Sequence, residues 1–308
     1  MQLLNLPESN IDASDEADRT LIDALYRAIL GRRADPGGTV AYRRLLTAGV
    51  RDDGIAEAVR SLLASREYAD RVAKEPGIAL RVSGPPGKRL VGGQQVKHIV
   101  SLGTHCLTSF LLKKHGLKRY SLPFDWLFSS PATILHCLDD QFATFLDSKH
   151  YVAITQRRES KEPGADHAFY RDRDGVGDMF AHRDPSTPDD YGYLQNTVGR
   201  FGRMMQLPDA KLFVMILRPK HNAVRAFPLL SDKIRSMTEN SAFICVQLRE
   251  PTEQPGCHSM QMLREDGDHA LYEFQPSSPE LGVGFEEPID DMAVMRLIRQ
   301  FDIDLTDV

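Results

Sequence analysis

Two short, nearly uninterrupted apolar runs, KLFVMIL at 211–217 and AFICVQL at 242–248, constrain this chain more than any other feature. A strand with one wet face alternates apolar and polar residues, whereas a strand buried on both faces does not. These runs therefore read as the centre of a mostly parallel sheet covered by helices. The stretch between them, Val224 to Met237, has helical periodicity and the length that a parallel crossover requires. HIVSLG at 98–103 reads as another strand. CLTSFLLKKHG reads as the helix after it, with Lys113 and Lys114 in the last turn and Gly116 as its stop. HALYEF at 269–274 is a further candidate strand, and Asp189 to Met205 and Asp290 to Phe301 are candidate helices. AFYRDRDGVGDMFAH resembles a hairpin turning at Asp174-Gly175. The acidic run Glu286 to Asp291 reads as a helix N-terminus favoured by the dipole, with no catalytic role.

Before this region the texture is different. Leu21, Leu25 and Ile29, then Val40, Leu45 and Leu46, then Ile55, Val59, Leu62 and Leu63 recur at helical spacing. Gly31 stops the first helix, Asp35 caps the second with Pro36 as its first residue, and Ser65 caps a short last helix through Tyr68 and Val72. Residues 76–97 concentrate Gly and Pro and break every periodicity. The expected fold class is thus α/β, a layered and mostly parallel sheet flanked by helices, preceded by a small all-helical domain. Its expected organisation is a helical module at 1–77, a Gly/Pro-rich linker at 78–97 and the α/β domain at 98–308. The stretches LYRAILGRRADPGGTVAYRRLL and SLLASREYADR resemble a helical bacterial family of unknown function related in pattern to phycobilisome linker modules. That resemblance implies an accessory role in which the module docks a protein partner. Taken singly, Tyr26, Tyr42 and Tyr68 read as core aromatics.

Charge and cysteine usage exclude several classes of function. With 38 basic and 43 acidic residues the net charge is -5, which gives no general field for nucleic acid or an anionic membrane. No apolar run is long enough to span a bilayer, and the N-terminus lacks the order of a secretion signal, so a cytoplasmic location is expected. Cys106, Cys137, Cys245 and Cys257 share no Cys-x-x-Cys spacing, and the ten histidines are scattered. Neither a metal nor any other cofactor is expected.

Ligands of open α/β sheets bind beyond the carboxyl ends of the strands, and Ser101-Leu102-Gly103-Thr104-His105-Cys106 occupies that place. At a helix start, free amides and the dipole favour the Cys106 thiolate, and with Gly103 allowing close approach they offer a cradle for an oxyanion. The plain alternative is a cysteine packed as a small hydrophobe. Asp125, between Phe124 and the sole tryptophan, Trp126, needs a cation, an amide or a histidine if buried, or else serves as a cap. His182, before a helix, is a candidate general base, and His105 is second in line because adjacent side chains point apart. Arg218, at a strand's carboxyl end, and Arg200, on the helix after His182, are candidates to clamp an anionic substrate group. Arg200 also reads as a solvated helix residue.

Together SLGTHC, KKHGLKRYSLPFDW and a His before YLQNTVGRFGRMM resemble a bacterial family of unknown function described as putative papain-like cysteine peptidases. The resemblance implies Cys106 as nucleophile, His182 as base and Asp125 as the group orienting it. Here Arg183 stands where the family has Asp or Asn, with Asp184 one place later. The two buried strands fit a layered sheet like those of SGNH esterases and acyltransferases better than papain's split halves. The expected function is therefore a thiol-dependent hydrolase or acyltransferase acting on an ester, thioester or amide, its substrate a small molecule or a peptide- or glycan-linked group. Gly103, His105, Trp126, Arg218 and Arg200 are the expected substrate-binding residues. The alternative is a non-catalytic protein that binds a glycan or nucleotide-sugar in surface-polysaccharide assembly.

Overall fold

The computed structural model describes residues 9–48, 50–74, 87–154, 164–252 and 258–306. The chain divides into two compact units, 1–82 and 83–308.

The first unit is helical: α1 (Ser9–Ile29), α2 (Pro36–Thr47), α3 (Arg51–Ala64) and α4 (Arg66–Lys74). Ile22, Tyr26, Leu46, Leu62 and Tyr68 form its interior, whereas Val40, expected to face it, stands exposed. The breaks between helices follow local chemistry. Gly31 adopts a positive φ of 76° and donates its amide back to Tyr26 and Arg27, and Asp35 accepts the Gly38 amide at 2.8 Å. Ser65 accepts the Tyr68 amide at 3.1 Å. Gly54 lets α3 press against α2, for a Cβ there would meet the Leu45 carbonyl oxygen.

The second unit is built on a sheet of five strands: β1 (Val96–Ser101), β4 (Ala210–Leu217), β5 (Ser241–Leu248), β7 (His269–Gln275) and β6 (Ser259–Asp266), in that spatial order. The first four run parallel, with Ile99 opposite Leu212, Phe213 opposite Phe243 and Val246 opposite Tyr272. β6 pairs antiparallel with β7 and closes one edge. Every residue of β4 and β5 is buried, which is why their sequences carry no alternation. α5 (Leu107–Lys114) follows β1, and α9 (Ala223–Met237) crosses from β4 to β5 with Phe227 stacked on Phe243. Between β1 and β4 lie α6 (Pro131–Asp139), a two-stranded sheet of β2 (Tyr151–Ala153) and β3 (Ala165–His167), α7 (Ala168–Asp174) and α8 (Pro188–Met205). α10 (Pro288–Arg299) follows the sheet. Among the described residues no helix is long and apolar enough to cross a membrane.

Two expectations need correction. The segment read as a hairpin at Asp174-Gly175 is helix α7, and Gly175, at φ 68°, is its left-handed cap. Glycine at positive φ serves either structure, and here β3 pairs along its length with β2 and meets the segment after the turn at one bridge, Ala165 to Phe180. Part of the expected linker, 78–86, lies outside the described residues. Residues 87–97 belong to the α/β unit: Arg89 bridges to Phe301, Val91 is buried, and Val96 already pairs in β1. Asp290 and Asp291 lie in the first turn of α10, as the acidic run suggested, and are also buried and accept hydrogen bonds, Asp290 from Ser277 and Ser278 and Asp291 from Lys114 and the Phe285 amide.

Candidate active site

β1 ends at the centre of the candidate site. Its pairing with β4 continues through the Leu102 amide, which donates to Val214 O at 2.8 Å. The chain then turns through Gly103, Thr104 and His105 into α5. Cys106 is the cap of that helix, already in helical φ/ψ, and its carbonyl accepts the first helical bond, from the Phe110 amide at 2.9 Å. Gly103 is required by crowding, because a Cβ would lie 2.8 Å from His105 O and 3.2 Å from Phe124 O.

The loop 122–130 joins the cysteine segment to the histidine segment. Ser129 donates its hydroxyl to Gly103 O at 3.0 Å and its amide to Thr104 O at 3.0 Å, while the neighbouring Phe128 amide donates to Met179 O at 2.8 Å. Phe180 in turn pairs with Ala165, and the chain turns at 181–182 toward α8. Arg183 fastens the far side of that turn, donating to Asp190 on α8 at 2.8 Å and lying over the Tyr193 ring. The outcome is a contact of 3.7 Å between Cys106 Sγ and His182 Nε2, from residues 76 positions apart.

Burial is the main influence on the thiol, pushing its pKa above the usual value, and the charge of Arg218 opposes it in part. The helix start does not yield a resting thiolate, contrary to the expectation from the sequence. Desolvation is the largest influence at a residue that is only 7% exposed.

Asp125 is completely buried and accepts hydrogen bonds from Ser109 Oγ at 2.7 Å, from the Leu122 amide and from Lys118 Nζ. Ser109 lies one turn beyond Cys106 on α5. These bonds tie the helix of the cysteine to the following loop and account for the carboxylate, and among them none reaches His182. Lys118, absent from the sequence-based set, is its buried counter-ion.

The substrate-binding candidates separate into two groups. Arg218 donates to Glu280 through Nε at 2.7 Å and Nη2 at 3.3 Å, and His105 Nε2 lies 3.4 Å from the same carboxylate. Burial alone would raise the pKa of Glu280, but His105 and Arg218 outweigh it and hold it at about 2. His105 is pushed down by burial. Arg218, His105, Thr104, Ser129 and Lys220 line a cavity of about 480 Å³. Arg200 and Trp126 are engaged elsewhere. Arg200 donates to Ser121 O at 2.5 Å and lies over Tyr120, and Trp126 is half-buried with the Lys113 ammonium 5.8 Å from its ring. Glu280 was not among the sequence-based candidates, since it sits in a loop without periodicity and meets its partners only through the fold.

Cys137 and Cys245 are fully buried, and Cys257 lies outside the described residues. Burial pushes the Cys137 thiol up to about 12 and that of Cys245 higher still.

Comparison with known proteins adds a family likeness. No solved structure gives a significant match. An uncharacterized protein, R408, of Acanthamoeba polyphaga mimivirus is 28% identical over 166 residues, covering 47% of this chain and 73% of that protein. Residues 97–242 match the model of a family of unknown function described as "Putative papain-like cysteine peptidase", and that segment contains Cys106, Asp125 and His182 but ends before Glu280.

Proposed function

We propose that the α/β unit is a thiol-dependent hydrolase or acyltransferase with Cys106 as nucleophile and His182 as its base. The observation that carries this reading is the 3.7 Å approach of Cys106 Sγ to His182 Nε2 where β1 gives way to α5. Its support from the comparisons is the description of the family matched by residues 97–242. The label's chemistry is retained here without its fold, because a five-stranded layered sheet is not papain's pair of lobes.

A thiol raised by burial is protonated near neutral pH, so the base acts during the attack. Sγ forms a bond to the acyl carbon, its proton passes to His182 Nε2, and the carbonyl electron pair moves to oxygen. The amides that open α5 lack helical acceptors and face developing negative charge favourably. Collapse of the adduct expels the alcohol, thiol or amine, which takes the proton from His182. Water, or a second nucleophile in an acyltransferase, then attacks the thioester and returns the proton to sulfur. In this scheme Asp125 is a positioning residue for α5, and Arg218 and His105 border the space for the substrate.

Alkylation with iodoacetamide near neutral pH, followed by peptide mapping, tests the reading. Cys106 should be labelled well before Cys137 and Cys245, and His182→Ala should slow that labelling by about a hundredfold, the lower range for loss of a general base. Equal labelling of the cysteines, or a rate indifferent to His182, would remove the nucleophile.

A further inference from the structure

The cavity beside the cysteine loop has a polarised lining that the scheme above does not use. One wall is the segment after β4, with Arg218, Lys220 and His221. Glu280 holds Arg218 by Nε and Nη2, which fixes the guanidinium and leaves Nη1 without a hydrogen-bond partner among the described residues. A guanidinium held along one edge can present the other to an oxyanion. Lys220 is exposed and also makes no hydrogen bond or ion pair among the described residues. His221 is kept neutral, since burial drives its pKa down to about 4, so the positive charge of this wall comes from Arg218 and Lys220.

A second wall is the turn from Asp174 to Asp178. Asp174 is already satisfied, accepting from Thr133 at 2.7 Å and lying near Arg173. Asp178 is exposed, with no hydrogen-bond or ion-pair partner among the described residues. Between them Gly175 and Gly177 have nothing within 4 Å of where a Cβ would be, so ligand atoms have room to approach the main chain. The cavity abuts a second one of about 500 Å³, with which it shares Ser130, Asp174 and His221, and whose other walls include Leu135, Ala226, Leu229 and Leu230. Leu229 is 52% exposed there, which leaves apolar surface open to a ligand.

Uncompensated charges of opposite sign on two walls of one space complement a molecule carrying both, and the leucines of an adjoining space of mixed lining complement a hydrocarbon side chain on the same molecule. We infer that the two cavities together bind a free apolar α-amino acid, its carboxylate on Arg218 and Lys220, its ammonium on Asp178 and its side chain among Leu135, Leu229 and Leu230. For the thiol chemistry this inference rests on the proposed function. With both of its ends free the amino acid offers Cys106 no acyl bond, so in that chemistry it is the amine released from an N-acyl amino acid or the acceptor of the acyl group.

Isothermal titration of the full chain with L-leucine, N-acetyl-L-leucine, L-leucinamide and L-alanine tests the assignment. L-Leucine should bind, and each of the others should bind at least about tenfold more weakly, the cost of one charge-assisted hydrogen bond or of an unburied side chain. Asp178→Asn and Lys220→Ala change exposed residues and leave the core intact. The first should weaken L-leucine about tenfold without affecting N-acetyl-L-leucine, and the second should weaken L-leucine without affecting L-leucinamide. Equal binding of L-leucine and N-acetyl-L-leucine would overturn the assignment, as would the absence of binding at millimolar L-leucine. Alkylation of the same parental protein alongside the titration separates the two readings. Failure to bind with selective alkylation intact removes the amino-acid site alone, and unselective alkylation with leucine still bound removes the nucleophile alone.

Discussion

Replacing Lys118 by methionine removes the counter-ion of a carboxylate that has no access to water. Asp125 is 0% exposed and the Lys118 side chain 7% exposed, so the pair is held in a medium where neither charge is hydrated. Burial already depresses the Lys118 pKa, with Asp125 pulling the other way. Breaking a buried pair by deleting one partner costs about 3–5 kcal/mol, because the surviving charge is left uncompensated. Ser109 and the Leu122 amide still donate to Asp125 in the variant, which places the expected loss toward the lower end, about 3 kcal/mol. Urea unfolding is the natural assay, since the sole tryptophan, Trp126, adjoins Asp125 and its fluorescence follows this part of the fold. Adding Asp125→Asn to Lys118→Met should recover part of the loss, because no buried charge then remains, with a coupling of about 1–3 kcal/mol in the double-mutant cycle. A loss below about 1 kcal/mol for the single variant would mean that the pair behaves as a solvated surface bridge. Strict additivity in the cycle would equally refute the reasoning.

Two further outcomes follow from the packing. His115 is 2% exposed with neither ring nitrogen hydrogen-bonded among the described residues, and burial, aided by Lys114 and Arg299, drives its pKa down to about 3. Below pH 6.5 the unfolded chain gains a proton that the folded one refuses, so stability should fall by about 1.4 kcal/mol per pH unit toward pH 3. His115→Leu should flatten that decline in urea midpoints taken from pH 7 to pH 4, and an unchanged slope would contradict it. Gly103→Ala should keep the far-UV spectrum while slowing alkylation of Cys106 at least about tenfold, because its Cβ meets main-chain oxygens and must displace the loop. A parental rate would show that the loop tolerates the change.

How much could be read without coordinates depended on whether a residue's environment was written in its neighbours. β4, β5, α8 and α9 were legible because their burial repeats along the chain. β6 was missed, for it stands exposed at the sheet edge, is held by main-chain bonds to β7, and so carries no apolar pattern. The pairing of Cys106 with His182 was suggested by motifs and their resemblance to a family, and the folded chain brings the two atoms into contact. Asp125 was recognised as needing partners, but Lys118 and Ser109 are the partners it found. Glu280 and Lys118 had no local signal, since their roles arise only where separate segments converge. The direction of the Cys106 pKa shift was misread for a related reason: a dipole is visible in a helix start, whereas desolvation depends on everything packed around it.

The sheet also sets a lower limit on how little of the chain can stand alone. The family likeness stops at residue 242, two residues into β5, so a fragment trimmed to it would leave β4 with one flank of main-chain groups unpaired and its apolar residues open to water. It would also lack Glu280, the latch on Arg218, and the strap in which Arg89 meets Phe301. Such a fragment is expected to aggregate by its bare strand. A homology boundary drawn through a parallel sheet therefore marks where sequences remain comparable, while the cooperative unit extends to wherever the last strand finds its neighbour.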